Sequence, residues 1–196
     1  AIRQLKARRI RALDTKDWAT YEALHAPDYR ANNEGERPWV GSKANAARLA
    51  ESLKDKVTVH HVHSMEINIL SPTTASGVWA MEDRIYWKQG NEDHWLHGFG
   101  YYHETYEKCD GQWVFTTRQL KRLKVMSSPG ATIGEHRHTD DEEIYYLLEG
   151  RGTMILDGLR RPIRAGDVAV VRPGHVHGIN NDSDRPLRLL VVASRP

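Results

Sequence analysis

Apolar residues first recur at helical steps: Ile2, Leu5, Ile10, Ala12 and Leu13, interrupted by Arg9, predict a helix over about residues 2 to 13. Asp14 breaks that pattern. As an N-cap, with Asp17 three residues on, it predicts a second helix carrying Trp18, Tyr21, Ala23 and Leu24 to near Pro27. Asp28 to Gly41 is polar and turn-rich, and a third helix from about Lys43 to Lys54 places Ala46, Ala47, Leu49, Ala50 and Leu53 on one side. Long β-patterned runs then follow one another: Val57 to Leu70, Thr73 to Trp87, His97 to Cys109 and Gln112 to Val125. Ser71-Pro72, Lys88 to Asp93 and the hairpin dipeptide Asp110-Gly111 separate them. Helices followed by an antiparallel meander predict an α+β unit, residues 1–125, in which a curved sheet wraps the helices.

Met126 to Gly130 reads as a joint of turn residues. The remainder, residues 126–196, shows strand-like runs at Thr153 to Leu156, Val168 to Arg172 and Leu187 to Val192, which supply much of a small all-β barrel. Such a short unit leaves sheet edges without partners, so the missing pairing is expected from the first unit or from a second copy of the chain. A homo-oligomer, most simply a dimer, is therefore expected.

Composition narrows the class of protein. Charged residues make up 28% of the chain and hydrophobic ones 39%, which is ordinary for a soluble globular protein. A net charge of +2 argues against a dedicated nucleic-acid binder; Arg3, Lys6, Arg8, Arg9 and Arg11 make the first helix locally basic, which reads as a solvated face. With Cys109 alone, no intrachain disulfide can form. No apolar run reaches a membrane span, and the start lacks the core of a signal peptide, so no membrane partner and a cytoplasmic location are expected. Of the fourteen Trp and Tyr residues, twelve precede residue 126, which suits an apolar cavity for a flat small molecule.

Two stretches carry candidate chemistry in the second unit. Residues two apart on a strand share a face, so His136 and His138 can present two imidazoles to one ion, with Glu143 returning after a polar turn and His177 completing the set. Glu142 can stand in for Glu143 if the turn is one residue tighter, and on parity alone His175 can stand in for His177. Gly130-x5-His136-x-His138-x4-Glu143-x6-Gly150 resembles the first sequence motif of the cupin family at every position. Gly166-x5-Arg172-Pro173-Gly174-x2-His177-x3-Asn181 is similar to the second, with arginine where proline is usual. The resemblance implies that His136, His138, Glu143 and His177 hold a divalent transition metal: Zn, Fe, Mn, Ni or Co.

The first unit carries Thr58-Val-His60-His61-Val-His63, the run from Ser71 through Trp79 to Asp83, and Gly98-Phe-Gly-Tyr-Tyr102-His103-Glu-Thr-Tyr106. It resembles the SnoaL-like branch of the nuclear-transport-factor-2-like superfamily. In related dehydratases of that superfamily an Asp and a His facing the pocket transfer protons, and the resemblance places them at Asp14 and His60. Strand parity leaves His61 and His63 as alternatives. Tyr21, Trp79, Met81, Tyr102 and His103 are the candidate pocket residues. The fungal dehydratases use a further histidine in the strand that here spans Gly77 to Trp87, and this run has none. The readings that follow are a small-molecule lyase or cyclase acting by proton transfer on an aromatic or polyketide-like substrate, a metal-dependent oxygenase with the first unit as scaffold, and a small-ligand-binding module.

Overall fold

The computed structural model describes residues 1–34, 37–137 and 142–194. Three helices, α1 (Ile2–Asp14), α2 (Trp18–Ala23) and α3 (Ser42–Leu53), pack on a sheet whose long strands are β3 (Lys56–Ile69), β4 (Thr74–Gln89), β5 (Glu92–Cys109) and β6 (Gln112–Ser127). These pair antiparallel in sequence order. The concave face carries Ala75, Trp79, Met81, Tyr102, Tyr106, Phe115 and Leu120, and α1 closes over it with Ile2 and Leu5. Aromatic residues at alternate positions on adjacent strands, opposed by one apolar helix stripe, are enough to fix this register.

Two expectations for the first unit change. Asp14 is the last residue of α1 and caps nothing; Asp17 caps α2 by accepting a hydrogen bond from the Thr20 backbone N–H at 3.0 Å. Lys16, at φ 60°, turns the chain between the helices, which places Asp17 before α2 and leaves the Asp14 carboxylate free to reach β3. In addition, the polar stretch after α2 contains a strand, β1 (His25–Asn33), which pairs parallel with β6 through Ala31 opposite Arg118 and antiparallel with the short β2 (Trp39–Val40). Its polar outward residues and Pro27 conceal the inward alternation of Tyr29 and Ala31.

β6 runs through Ser127, two residues into the expected joint, and pairs with the last strand, β13 (Leu187–Ser194). β13 also pairs with β8 (Glu142–Glu149), and β8 with β11 (Val168–Val171), so one nine-stranded sheet runs through both units. A second sheet, ordered β10 (Leu159–Arg164), β9 (Arg151–Leu156), β12 (Val176–Asn180) and β7 (Thr132–Arg137), faces it across a core of Tyr145, Leu147, Met154, Ile179, Leu189 and Val191. The pairing that the short second unit lacks is therefore supplied by the first. Asn181, 1% exposed, holds the crossing point: its side-chain NH2 donates to the carbonyls of Ser127, Ser128 and Arg185. No helix among the described residues is long and apolar enough to cross a membrane.

Candidate functional site

At the end of α1, the Asp14 carboxylate meets β3. Its Oδ1 lies 2.6 Å from His60 Nδ1, and its Oδ2 accepts from the His60 backbone N–H at 2.9 Å. Thr58 Oγ1 also donates to Oδ1 at 2.9 Å, and Lys16 Nζ donates to Thr58 at 2.8 Å. Burial raises the Asp14 pKa, but the hydrogen bonds and charge of His60, with Thr58, outweigh it and hold the carboxyl below its ordinary value. A carboxylate on Nδ1 fixes that nitrogen as the donor and leaves Nε2 to accept a proton. His60 points inward, its side chain 7% exposed, whereas His61 and His63 stand exposed on the outer face of β3. Thr58 and Lys16 were not legible as partners, because their contact depends on the α1–β3 approach.

Tyr21, Trp79, Met81 and Tyr102 are buried. Trp79, Met81 and Tyr102 share the concave face, while Tyr21 packs beside α3 and accepts from Arg9 Nη2 at 2.9 Å. His103 lies on the opposite face of β5 from Tyr102 and is half-buried. Two members of the basic stripe of α1 are not solvated: Lys6 is 0% exposed and Arg9 3%, whereas Arg3, Arg8 and Arg11 face solvent. Lys6 pairs with buried Glu104, and this offsets part of the cost of placing it on the core side of the helix.

In the second unit, ligand atoms of His136, Glu143 and His177 all lie within 4.8 Å of one another. His136 Nδ1 donates to the Gly134 carbonyl at 2.9 Å, which fixes the orientation of the ring. The Tyr145 hydroxyl, not anticipated from the sequence, lies 2.9 Å from His177 Nε2 and donates to Glu143 Oε2. His138 lies outside the described residues. Of the alternatives, Glu142 lies near Arg172, and His175 precedes β12 and bonds to Asp157, with its side chain 48% exposed. Two imidazoles and a carboxylate converging at one point fit a divalent transition metal.

His136, Glu143 and Tyr145 line a cleft of about 290 Å³ that is shared with the first unit, where Glu34, Leu96, Leu120, Arg122 and Val125 form the opposite wall. Arg122 donates to both Asp83 oxygens at 2.7 Å, and Asp83 is the cross-strand neighbour of His60. Burial raises the Asp83 pKa and the Arg122 charge more than offsets it, so the carboxyl stays below its ordinary value.

The SnoaL-like domain family matches residues 1–119 and the cupin domain family residues 124–193. The chain belongs to the SnoaL-like family and carries a cupin domain after it. An oxalate-binding protein of Thermotoga maritima is 39% identical over 75 residues, covering 38% of this chain and 60% of that protein. The chain thus spans about three-fifths of the length of that relative. A protein of Gibberella zeae named as a probable cyclase, FGR4, is 25% identical over 62% of this chain and 89% of its own length. Among solved structures, a candidate scytalone dehydratase from Novosphingobium aromaticivorans shares the fold at a TM-score of 0.57 and 24% identity, over 64% of this chain and 83% of that one.

Proposed function

We propose that the protein is a lyase or cyclase that moves a proton on an aromatic or polyketide-like small molecule, with His60 as the base and Asp14 as the residue that orients it. The observation that carries this reading is the double hold of Asp14 on His60, through ring nitrogen and backbone. An imidazole fixed in this way accepts a proton from carbon or hydroxyl and returns it to a leaving group without a change of tautomer. The name of the Gibberella zeae relative supports the cyclase class. The missing histidine in β4 argues against the dehydration carried out by the fungal enzymes.

His136, Glu143 and His177, with His138 beside them in sequence, would hold the metal, which when bound supplies a Lewis acid for a substrate oxygen. The chain's own residues do the rest. Tyr145 holds Glu143 and His177 in place, and the side chains Leu96, Leu120 and Val125 give the cleft an apolar wall. The test compares variants at saturating substrate. His60→Gln should abolish turnover with metal content unchanged; turnover lost in His136→Ala but kept in His60→Gln would transfer the chemistry to the cupin unit.

The second reading, a metal-dependent oxygenase or ligand-binding cupin on a SnoaL-like scaffold, is favoured by the metal cluster opening onto the shared cleft. Oxygen consumption by the metal-loaded protein separates it from the first. A homodimer is proposed through the outer face of β8, β11 and β13, where Tyr146, Val168, Val170, Leu190 and Val192 are exposed next to one another in register.

A further inference from the structure

Around Tyr102, apart from the Asp83–Arg122 and Glu34–Lys121 pairs, the described residues place more basic side chains than the one carboxylate Glu104 can balance. Three basic side chains surround the ring of Tyr102: Lys6 Nζ at 4.1 Å from its centroid, Arg118 Cζ at 5.5 Å and Arg9 Cζ at 6.0 Å. Glu104 is the carboxylate that acts on Lys6 and Arg9, and it is already bonded to Lys6 and to the Tyr106 hydroxyl. Arg9 spends two of its nitrogens on neutral partners, Nε on His25 at 3.1 Å and Nη2 on Tyr21. Among the described residues its remaining nitrogen, Nη1, has no acceptor; Arg118 Nε has none either, the hydroxyl of Tyr29 has no partner, and Tyr29 is 0% exposed.

Water could satisfy those donors but not the charge. A buried guanidinium without a counter-ion costs several kcal/mol, and here buried Arg9 and half-buried Arg118 share one carboxylate that is already engaged. We propose that this cluster is a binding site for one small monovalent anion, the size of a halide or a carboxylate group, received by Arg9, Arg118 and the Tyr29 hydroxyl. The carboxylate either arrives free or belongs to the molecule that reaches the dyad.

The test measures thermal stability of the whole chain at constant ionic strength and pH, with gluconate replaced stepwise by chloride, formate or benzoate. Wild type should gain stability saturably with chloride or formate. Arg118→Met should lose that dependence, and in gluconate it should match or exceed wild type, because an unneutralised charge has been removed. An arginine with a purely structural role would destabilise equally in every salt. Tyr29→Phe, which removes one hydroxyl, should weaken anion affinity about tenfold, the worth of one charge-assisted hydrogen bond. Benzoate binding tighter than formate assigns the site to a substrate carboxylate; chloride and formate binding with benzoate excluded assigns it to a resident ion. Stability that is the same in gluconate, chloride, formate and benzoate, or an Arg118→Met variant that responds as wild type does, overturns the proposal.

Discussion

Asp14 and His60, 46 residues apart in sequence, are joined by two hydrogen bonds, one to the imidazole and one to the strand that carries it. The second bond ties the end of α1 to β3, so the same carboxylate both positions the ring and closes the cone. Its stability effect has a defined sign. Because the folded pKa lies below the unfolded one, the contribution is present above the usual carboxylate range and is lost as pH falls through the folded value. Urea unfolding between pH 2 and 6 should therefore show an acid loss in wild type that is shallower in Asp14→Asn.

Lys6 gives the opposite limb. Burial lowers its pKa from 10.5 to about 7, although Glu104 pulls upward. Between those values the unfolded chain binds a proton that the folded chain does not, so stability rises with pH across that window, by at most about 5 kcal/mol. Tyr29, raised by burial beyond its ordinary range, and Tyr102, raised to about 12, reverse the trend once unfolded tyrosines ionise. In gluconate buffer from pH 7 to 9.5, wild type should gain stability and Lys6→Met should remain flat.

Gly98 lies beneath the Asp83–Arg122 bridge. A β-carbon there would fall 2.1 Å from Arg122 Nη1 and 2.5 Å from Asp83 Oδ1. Gly98→Ala should cost about 1–3 kcal/mol by overpacking, read from the urea midpoint, while Gly111→Ala, whose β-carbon would meet nothing, should suffer only the strain of its φ of 80°.

Much of the layout was legible. The candidate ligand group of the second unit was legible because spacing and strand parity are local, and His136, Glu143 and His177 need only one sheet crossing to lie within 4.8 Å of one another. The pairing of Asp14 with His60 was legible, whereas the cap expected at Asp14 falls to Asp17, since the turn at Lys16 shifts that role along the chain. Lys6 and Arg9 read as solvent residues because sequence periodicity ranks side chains by polarity. Their burial depends on Glu104, Tyr102 and Tyr21, contacts that exist only once the sheet has curled over α1. β1 was hidden for a related reason: a strand that pairs parallel with β6 borrows its stability from distant residues.

Metal binding should follow the cluster. Glu143→Ala and His177→Ala should each lose most of the bound ion by elemental analysis, and added Zn, Mn or Fe should no longer raise the melting temperature. Tyr145→Phe should keep the ligands and weaken binding about 10- to 100-fold, as expected for a residue that orients them.

The surface of β8, β11 and β13 gives a test of assembly. Light scattering should show a dimer for wild type at micromolar concentration and a monomer for Leu190→Lys, with no change in circular dichroism.

Proton abstraction by His60 can be measured directly as deuterium uptake in D2O, by NMR, at the carbon next to the carbonyl of a flat bicyclic ketone such as 2-tetralone. Wild type should exchange that position faster than buffer, and His60→Gln should lose about 100-fold or more of the enzymatic rate, while chelator-treated wild type still exchanges. Exchange that survives in His60→Gln and disappears on removal of the metal would contradict the account.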